Sequence, residues 1–200
     1  MKEALTLIVT GGLLVGILTV GLGFWRRTFM QVEEQWKKLA QELNWDIMVS
    51  PSKWRWLKRQ YPAMRGILNG FEIHCLMTPV GSGYGAASTQ VNVLLDNSAG
   101  YTMMLYHKEA NTKETLKGKA FEDCFVIESN YQGLEKRLFT PTMQQLVLDK
   151  GGMLKYALEL DEHSLNYKTT VQIETDELRE NFKEFLELCT NLAQQIQKLK

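Results

Sequence analysis

The sequence predicts an α+β fold: an N-terminal transmembrane helix, then one domain with an antiparallel β-sheet, helices packed on one side of the sheet, and a long C-terminal helix. Three observations lead to this prediction. An uncharged apolar run opens the chain, alternating apolar runs separated by turn residues follow, and an apolar stripe at helical spacing closes it. We divide the chain into a transmembrane anchor (1–27), an amphipathic juxtamembrane helical segment (28–62) and a soluble α+β domain (63–200).

The opening run, residues 4–25, contains 22 residues without a charge. As a helix rising 1.5 Å per residue it would be about 33 Å long, enough to cross a hydrocarbon core of ~30 Å. A cleaved signal peptide is the alternative, but its apolar core is usually shorter and a small-residue cleavage site should follow it. Here the run ends on Trp25 and continues into Arg26 and Arg27, which is typical of an interfacial aromatic residue and a charged stop.

The distribution of cations predicts the orientation of the span. Only Lys2, offset by Glu3, precedes it, whereas Arg26 and Arg27 follow it directly. Because cytoplasmic flanks carry the excess of Lys and Arg, we place the N-terminus outside and the domain at the cytoplasmic side of the cell (inner) membrane. Three widely spaced cysteines, none in a CxxC arrangement, agree with a reducing compartment.

Small residues recur on one face of the predicted span, at spacings of four, three and four. Such a face lets two membrane helices approach closely, which predicts a homo-oligomer formed through the span. The alternative is that glycine is simply frequent in membrane helices. The residues on this face are Gly12, Gly16, Thr19 and Gly23.

The first elements after the span are a helix and a short strand. Apolar residues at intervals of three and four predict an amphipathic helix, continuous with the span or separated from it by a short break. Residues 45–49 follow as a short strand, Pro51 interrupts regular structure, and Ser52 is a suitable N-cap for a short helix. The apolar positions of the first helix are Phe29, Val32, Trp36, Leu39 and Leu43.

The middle of the chain alternates as β-strands do. Runs at 63–68 and 71–77 flank Asn69-Gly70, a strong hairpin signal because both residues suit the positive φ angles of a type I′ turn. We expect one face of the second run to carry Phe71, Ile73, Cys75 and Met77. Further strands are predicted at residues 89–95, 101–107 and 124–129.

Helices and a second hairpin complete the domain. Ser129 and Asn130 are predicted caps of a short helical segment, and Pro141 suits the first position of the next helix. A hairpin with its turn at residues 161–164 follows. The last helix begins at about Thr175, where Asp176-Glu177 favour the N-terminal end of the helix dipole.

The stripe of the last helix could dock on the sheet or form a coiled-coil dimer. Leu186 and Ala193 widen it beyond a narrow coiled-coil seam, which favours docking within the domain. The residues at the regular spacing are Leu178, Phe182, Phe185, Cys189, Leu192, Ile196 and Leu199.

Residues 52–61 read SKWRWLKRQY and combine two tryptophans, a tyrosine and four cations. Wound as a helix, the stretch separates an aromatic side from a basic side, whereas a base-stacking platform would interleave them. We interpret it as a helix docked on the domain with its basic side near a membrane. The docking side holds Trp54, Leu57 and Tyr61, and the basic side holds Arg55, Lys58 and Arg59.

The formal net charge is zero but unevenly distributed. Residues 26–65 carry nine cations and four anions, a net +5, and residues 66–200 carry 13 cations and 18 anions, a net −5. A basic segment beside a span predicts contact with anionic headgroups, and the acidic remainder argues against a nucleic-acid partner. The membrane-interface candidates are Trp25, Arg26, Arg27, Arg55, Lys58 and Arg59.

The sequence contains no grouping that predicts catalysis. GSGYGA at residues 81–86 satisfies G-x-G-x-x-A, but it lies between two strands and is interpreted as a hairpin loop. His74 and Cys75 are neighbours on one strand and point to opposite faces, while His107 and His163 fall at a strand end and in a turn. We therefore predict no enzyme, no cofactor and no metal site.

Several motifs carry a family resemblance that covers most of the chain after residue 28. The chain resembles a class of uncharacterised bacterial proteins, cyanobacterial members among them, with one or two N-terminal spans and a cytoplasmic α+β domain of unknown function. The resemblance implies a fold and a topology and brings no catalytic residues. The motifs are LAQELNW (39–45), RGILNGFEIHC (65–75), TQVNVLL (89–95), FEDCFVIESN (121–130) and LFTPTMQQLVL (138–148).

Four functions follow from these features. The first is a non-enzymatic, membrane-anchored module that binds an unknown protein partner or assembles at the cytoplasmic face. The second is sensing of anionic lipid by the basic juxtamembrane segment. A tethered nucleic-acid binder is disfavoured by the acidic domain, and a hidden enzyme would need a histidine with a perturbed pKa in a pocket.

Overall fold

A computed structural model gives the architecture of the chain. It describes residues 2–52, 58, 60–80, 87–108, 120–150 and 158–199, without the side chains of residues 2–15, 17, 18 and 150. Within these residues the elements are α1 (Lys2–Leu43), β1 (Asp46–Met48), β2 (Ala63–Leu68), β3 (Phe71–Pro79), β4 (Ala87–Leu94), β5 (Met103–His107), α2 (Phe121–Cys124), β6 (Phe125–Ser129), α3 (Leu134–Leu138), α4 (Pro141–Lys150), β7 (Leu158–Leu160), β8 (Ser164–Thr169) and α5 (Asp176–Gln197).

The strands form one eight-stranded sheet in the order β1-β2-β3-β4-β8-β7-β5-β6. Every neighbouring pair is antiparallel. The β7–β8 hairpin is inserted between β4 and β5, so the chain reaches the far edge of the sheet before it returns to fill the middle. The predicted α+β class with an antiparallel sheet and a long C-terminal helix is confirmed.

The β2–β3 hairpin turns as the Asn69-Gly70 pair predicts. Asn69 has φ 52° and Gly70 has φ 85°, the left-handed conformations that a two-residue hairpin needs. Asn69 also donates a hydrogen bond from Nδ2 to Oγ1 of Thr190, 2.8 Å away on α5. The turn therefore sets the strand register and attaches the hairpin to the last helix.

One face of the sheet is buried beneath the helices. Alternate residues of β3 point into the core, and they are the predicted Phe71, Ile73, Cys75 and Met77. From α5, Phe185 packs on Tyr167 of β8 with ring centroids 4.4 Å apart and the rings tilted by 50°. The stripe of α5 is therefore docked on the sheet, as its width predicts.

The stripe of α1 packs into the same core. Its buried members are Phe29, Val32, Trp36 and Leu39, as the helical spacing predicts. The ring centroids of Trp36 and Phe182 on α5 are 6.3 Å apart. After α1 the chain turns at Asn44, which has φ 55°.

Trp45 closes the turn after α1 against strand β2. Its ring lies over Gly66, where an added Cβ would be 2.1 Å from Cδ1 of the indole. Its Nε1 donates to the carbonyl of Ile67 at 3.2 Å. Glycine is therefore required at position 66 by the close approach of this ring.

The other helices agree with the sequence except in how α3 begins. Pro141 opens α4, and Oγ1 of Thr175 accepts a hydrogen bond from the Leu178 amide at the start of α5. The prediction that Ser129 and Asn130 cap α3 is wrong. Gly133, with φ 85°, precedes the helix instead, because its left-handed conformation turns the chain directly into the first helical residue.

The N-terminal part of α1 belongs to one continuous helix of 42 residues. In the part of the chain whose side chains are described, no helix has both the length and the hydropathy that crossing a membrane requires. Most of the predicted span, residues 4–25, lies outside that part. The N-terminal transmembrane helix stays a prediction.

Candidate functional site

The candidate site is where α1 leaves the domain. Val20 and Phe24 are 74% and 72% exposed, whereas Phe29 and Val32, two turns further on, are fully buried. The same helix thus has exposed apolar side chains at Val20 and Phe24 and, further along, an apolar stripe that forms part of the core. An uncovered apolar helix end is the feature that a lipid or protein partner would cover.

Among the membrane-interface candidates in α1, some are exposed and one is buried. Arg26 and Arg27 are exposed and follow the apolar end directly. Trp25 is only 8% exposed and is therefore buried, whereas the neighbouring Phe24 is an exposed aromatic ring. We call the exposed set Val20, Leu22, Phe24, Arg26 and Arg27 the apical surface of α1.

The basic stretch 52–61 is attached beside the apical surface. Its last residue, Tyr61, packs on Phe29 of α1 with ring centroids 5.2 Å apart. Oγ of Ser50, which precedes the stretch, donates to Oε1 of Gln60 at 2.6 Å. Lys58 is exposed. The predicted helix and the candidates Arg55 and Arg59 lie outside the described residues.

The small-residue face of α1 is open where the structure describes it. A Cβ added at Gly16 or Gly23 would meet no atom within 4 Å, and Thr19 is exposed. Gly12 is among the residues of α1 whose burial the structure does not describe. Self-association through this face stays a prediction, and the monomer leaves room for it.

A polar cluster fixes α1 to α5 at the end away from the apical surface. Nη1 of Arg179 donates to Oε1 of Gln35 at 2.7 Å and to Oδ1 of Asp176 at 2.6 Å. Nε of the same arginine is 3.1 Å from Oε1 of Glu42. The hydrogen bond from Arg179 lowers the pKa of Asp176, with further contributions from Gln35 and Lys38. The cluster keeps α1 in one orientation on the domain.

The histidines are not brought together. Nε2 of His74 lies 2.8 Å from Oε1 of Glu72 on the same strand. His107 packs its ring on the edge of Phe125, and three strands separate β3 from β5. The backbone amide of His163 donates to Asp161 in the β7–β8 turn.

The cysteines are free and buried. Burial, with the nearby Cys189, raises the pKa of the Cys75 thiol well above its usual range, and burial alone raises the pKa of Cys189. Buried thiols with raised pKa values are poor nucleophiles. No group of three potential metal ligands occurs among the described residues, and residues 81–86 lie outside them.

Sequence reasoning missed the uncovered face of the sheet. Two adjoining depressions on it share Glu159, one lined by β3, β4 and β8 and the other by β5, β6 and the β7–β8 turn. Their polar residues come from strands far apart in sequence, so no local spacing indicates them. Strand alternation alone predicts only that this face is polar.

Comparisons with known proteins do not assign the site. No protein-family model matches the chain, and no curated protein matches its sequence. The resemblance to bacterial membrane-anchored proteins with an α+β domain therefore stays a prediction.

Proposed function

We propose that this chain is a single-pass, membrane-anchored, non-enzymatic module that assembles with a protein partner at the cytoplasmic face of the cell membrane. The observation that carries the proposal is the apical surface of α1. The exposed apolar side chains of Val20 and Phe24 belong to an apolar run of 22 residues, residues 4–25. The exposed Arg26 and Arg27 follow the run directly. Apolar side chains followed by cations are the arrangement found where a helix leaves a bilayer.

Energetics favours lipid as the covering of this end. Burying a large apolar side chain is worth about 1.5–3 kcal/mol, so leaving several in water on one helix end is costly. The two arginines beside them make a dry protein interface expensive, because unpaired charges resist burial. At a bilayer surface the same cations remain hydrated and face anionic headgroups.

Rigid attachment supports an assembly role over a loosely tethered domain. Trp36 packs on Phe182, and Arg179 binds Gln35 and Asp176, so α1 is part of the core rather than a linker. A domain held this way presents a fixed surface to neighbours in the membrane plane. Pairing through Gly16 and Gly23 would bring two such domains side by side.

Membrane extraction of the full chain tests the anchor. We expect the protein to stay in the pellet at alkaline pH and to need detergent for release. The variant Leu14→Arg/Leu18→Arg should move to the supernatant, since each arginine at a span centre costs about 2.5–3.5 kcal/mol on the insertion scale. Gln41→Arg, on the exposed side of the same helix, is the matched control and should behave as wild type. Release of the wild-type chain at alkaline pH would sink the proposal.

Labelling of Lys58→Cys tests the orientation. The native cysteines are buried, so a membrane-impermeant maleimide should react mainly at the new exposed thiol. We expect labelling in lysed spheroplasts and none in intact ones. Labelling in intact spheroplasts would place the domain on the outside.

Sensing of anionic lipid is the second candidate, favoured by the contact between Tyr61 and Phe29. Phe29 is three residues beyond Arg26, about 4.5 Å along the helix axis, so the basic stretch ends close to the apical surface. Each well-placed cation near anionic headgroups is worth about 1 kcal/mol.

A fluorophore on Lys58→Cys in nanodiscs tests this second function. We expect its emission to shift when anionic lipid replaces zwitterionic lipid, and the shift to vanish at high salt because of screening. A fluorophore on Glu162→Cys, in the β7–β8 turn, should not respond. Equal emission from Lys58→Cys in both lipids at low salt would exclude lipid sensing by this stretch.

A further inference from the structure

Strand β6 is an edge of the sheet, and its pairing with β5 shows which of its backbone groups point outward. At one end of the pair, the amide of Asn130 donates to the carbonyl of Thr102 at 3.2 Å. At the other end, the amide of Lys108 donates to the carbonyl of Cys124 at 2.9 Å. Because hydrogen-bonded and non-hydrogen-bonded pairs alternate along an antiparallel ladder, every second residue of β6 faces away from β5. In the observed register these outward residues are Phe125, Ile127 and Ser129.

Most of the outward backbone groups of β6 are unpaired. The amide of Phe125 donates to the carbonyl of Phe121 in α2, so that end of the edge is occupied. The hydroxyl of Ser129 donates to the carbonyl of Tyr131 at 3.0 Å, but no described residue forms a hydrogen bond with the backbone amide or carbonyl of Ile127 or Ser129. A row of free amides and carbonyls at a sheet edge is a template for a further strand.

The opposite edge of the sheet is better protected. β1 has only three residues, and Pro51, which has no amide hydrogen to donate to a ladder, follows it closely. Nε1 of Trp45 donates to the carbonyl of Ile67 at 3.2 Å, so an indole takes up a group of β2 that lies beyond the end of β1. Short edge strands and nearby prolines limit pairing with other chains. β6 has five residues and no proline, and it is the more open of the two edges.

The side chains of β6 define what an added strand should carry. Ile127 lies on the helix side of the sheet and packs partly on the core. Glu128 is exposed on the open face, where one of its carboxylate oxygens accepts a hydrogen bond from the hydroxyl of Tyr106 at 2.7 Å. Apolar pairs and pairs of opposite charge stabilise neighbouring strands. A matching strand therefore has an apolar residue beside Ile127 and a cation beside Glu128.

A second copy of this chain fits the β6 edge poorly. In one symmetric antiparallel register, Ile127 pairs with itself, and Ser129 of the second copy lies opposite Phe125, whose amide is already occupied. In the next register, Ile127 pairs with Ser129, and the two Glu128 side chains lie directly opposite each other. Like charges at that position are destabilising. A strand from another protein avoids both conflicts, because it can end before Phe125 and can carry a cation opposite Glu128.

We propose that the edge of β6 binds an extended segment of another protein in which apolar and basic residues alternate. The segment adds an antiparallel strand to the sheet. Two of its apolar residues exchange backbone hydrogen bonds with Ile127 and Ser129, and the basic residue between them pairs with Glu128. The inference rests on the proposed function, since it gives the chemistry of the protein partner.

Peptides that are N-methylated along one edge test the proposal, with the full chain in non-ionic detergent micelles and fluorescence anisotropy as the measurement. The probe is fluorescein-labelled Thr-Lys-Val-Lys-Val-Lys-Thr. With the valines opposite Ile127 and Ser129, the valine amides point toward β6 and the lysine amides point away. We expect saturable binding when the lysine backbone amides are methylated, and binding at least ~10-fold weaker when the valine amides are methylated. Equal affinity of the two methylated peptides would overturn the proposal.

Charge reversal tests the pairing with Glu128. The wild-type chain should bind the lysine peptide at least ~10-fold more tightly than a peptide with glutamate in place of each lysine. Glu128→Lys should reverse that preference, and because the side chain is exposed, the variant should fold as wild type does. An unchanged preference in Glu128→Lys would be evidence against the proposed site.

Two variants of Ser129 test the backbone contact. Both remove the hydroxyl, but only proline removes the outward amide, which the ladder with β5 does not use. We expect Ser129→Pro to bind the lysine peptide at least ~10-fold more weakly than Ser129→Ala, which should match wild type. Thermal unfolding of the two variants checks that the fold is retained, and the Glu128→Lys result stands independently if Ser129→Pro is unstable.

Two further outcomes would overturn the proposal. One is the absence of saturable binding of the lysine peptide below roughly 1 mM. The other is a dimer in sedimentation that Ser129→Pro loses and Ser129→Ala keeps, because a second copy would then occupy the edge. Peptide binding does not require a bilayer, so a failure here with the chain still retained at alkaline pH would reject this partner surface and leave the membrane anchor supported.

Discussion

The two faces of the sheet are built from the same strands, but one is buried beneath the helices and the other is exposed and polar. On the buried face, Tyr167 and Ile73 meet the helices and exclude water. On the open face, Asn92 and Lys168, which alternate with those positions, line a shallow depression. Stability therefore depends on one side of each strand, and any ligand chemistry on the other. Substitutions on the two faces should differ in kind, and the following variants test that difference.

Phe185→Ala on α5 should have the largest effect, because it removes from the buried face the ring that packs on Tyr167. We expect a loss of about 3–5 kcal/mol in the free energy of unfolding. Urea unfolding followed by tryptophan fluorescence measures it. Glu184→Ala, an exposed neighbour on the same helix, is the control and should change the value by less than about 0.5 kcal/mol.

Gly66→Ala should be next, because the new Cβ would overlap the Trp45 ring on the buried face. Overpacking of this kind costs about 1–3 kcal/mol. Ile67→Ala, the next residue and 70% exposed on the open face, should cost much less. Similar losses for the two variants would contradict the division between the faces.

Asp161→Asn should have a smaller effect that depends on pH. Asp161 accepts hydrogen bonds from the backbone amides of His163 and Ser164, which help to depress its pKa below the ordinary value of 3.8 in the folded chain. The stabilisation is therefore fully present above that value and is lost as pH falls through the lower, folded pKa.

Because Asp161 is largely exposed, solvent screening limits the expected loss to about 1 kcal/mol near neutral pH. The difference between Asp161→Asn and wild type should disappear in strongly acidic solution. Urea unfolding at neutral and acidic pH measures this difference. A loss of stability that grows as the pH falls would contradict the predicted direction of the pH dependence.

Lys168→Met should have the smallest effect on stability. Its side chain is exposed on the open face and forms no ion pair within the described residues, so we expect a change within about 0.5 kcal/mol. Thermal unfolding of the variant beside wild type measures it, and a loss as large as that of Gly66→Ala would contradict the division between the two faces.

Local patterns predicted the elements of the fold but not their order in the sheet. Alternation identified the strands, Asn69-Gly70 identified the tightest turn, and the spacing of α1 and α5 identified their buried stripes. The insertion of β7 and β8 between β4 and β5 was not predictable, because strand order depends on contacts between distant segments. Gly133 was missed as the start of α3, since Ser129 and Asn130 offered better caps in sequence.

The candidate sites also differ in how far local sequence patterns predict them. The apical surface of α1 is contiguous in sequence, so composition alone indicated Arg26 and Arg27. The two depressions on the open face depend on Asn92, Glu159 and Lys168, which only the strand register brings together. An unsatisfied acceptor such as Oδ1 of Asn92 has no signature in sequence, because it is defined by what surrounds it.

The packing of α1 on α5 has a consequence for synthesis. Trp36 and Phe182 pack together although they lie 146 positions apart in the sequence, so one partner leaves the ribosome long before the other is made. Until α5 has been made, the apolar stripe of α1 has no complete core to enter, and closure of the domain must wait for that helix. A nascent chain stalled before Asp176 should therefore be a chaperone substrate rather than a folded intermediate.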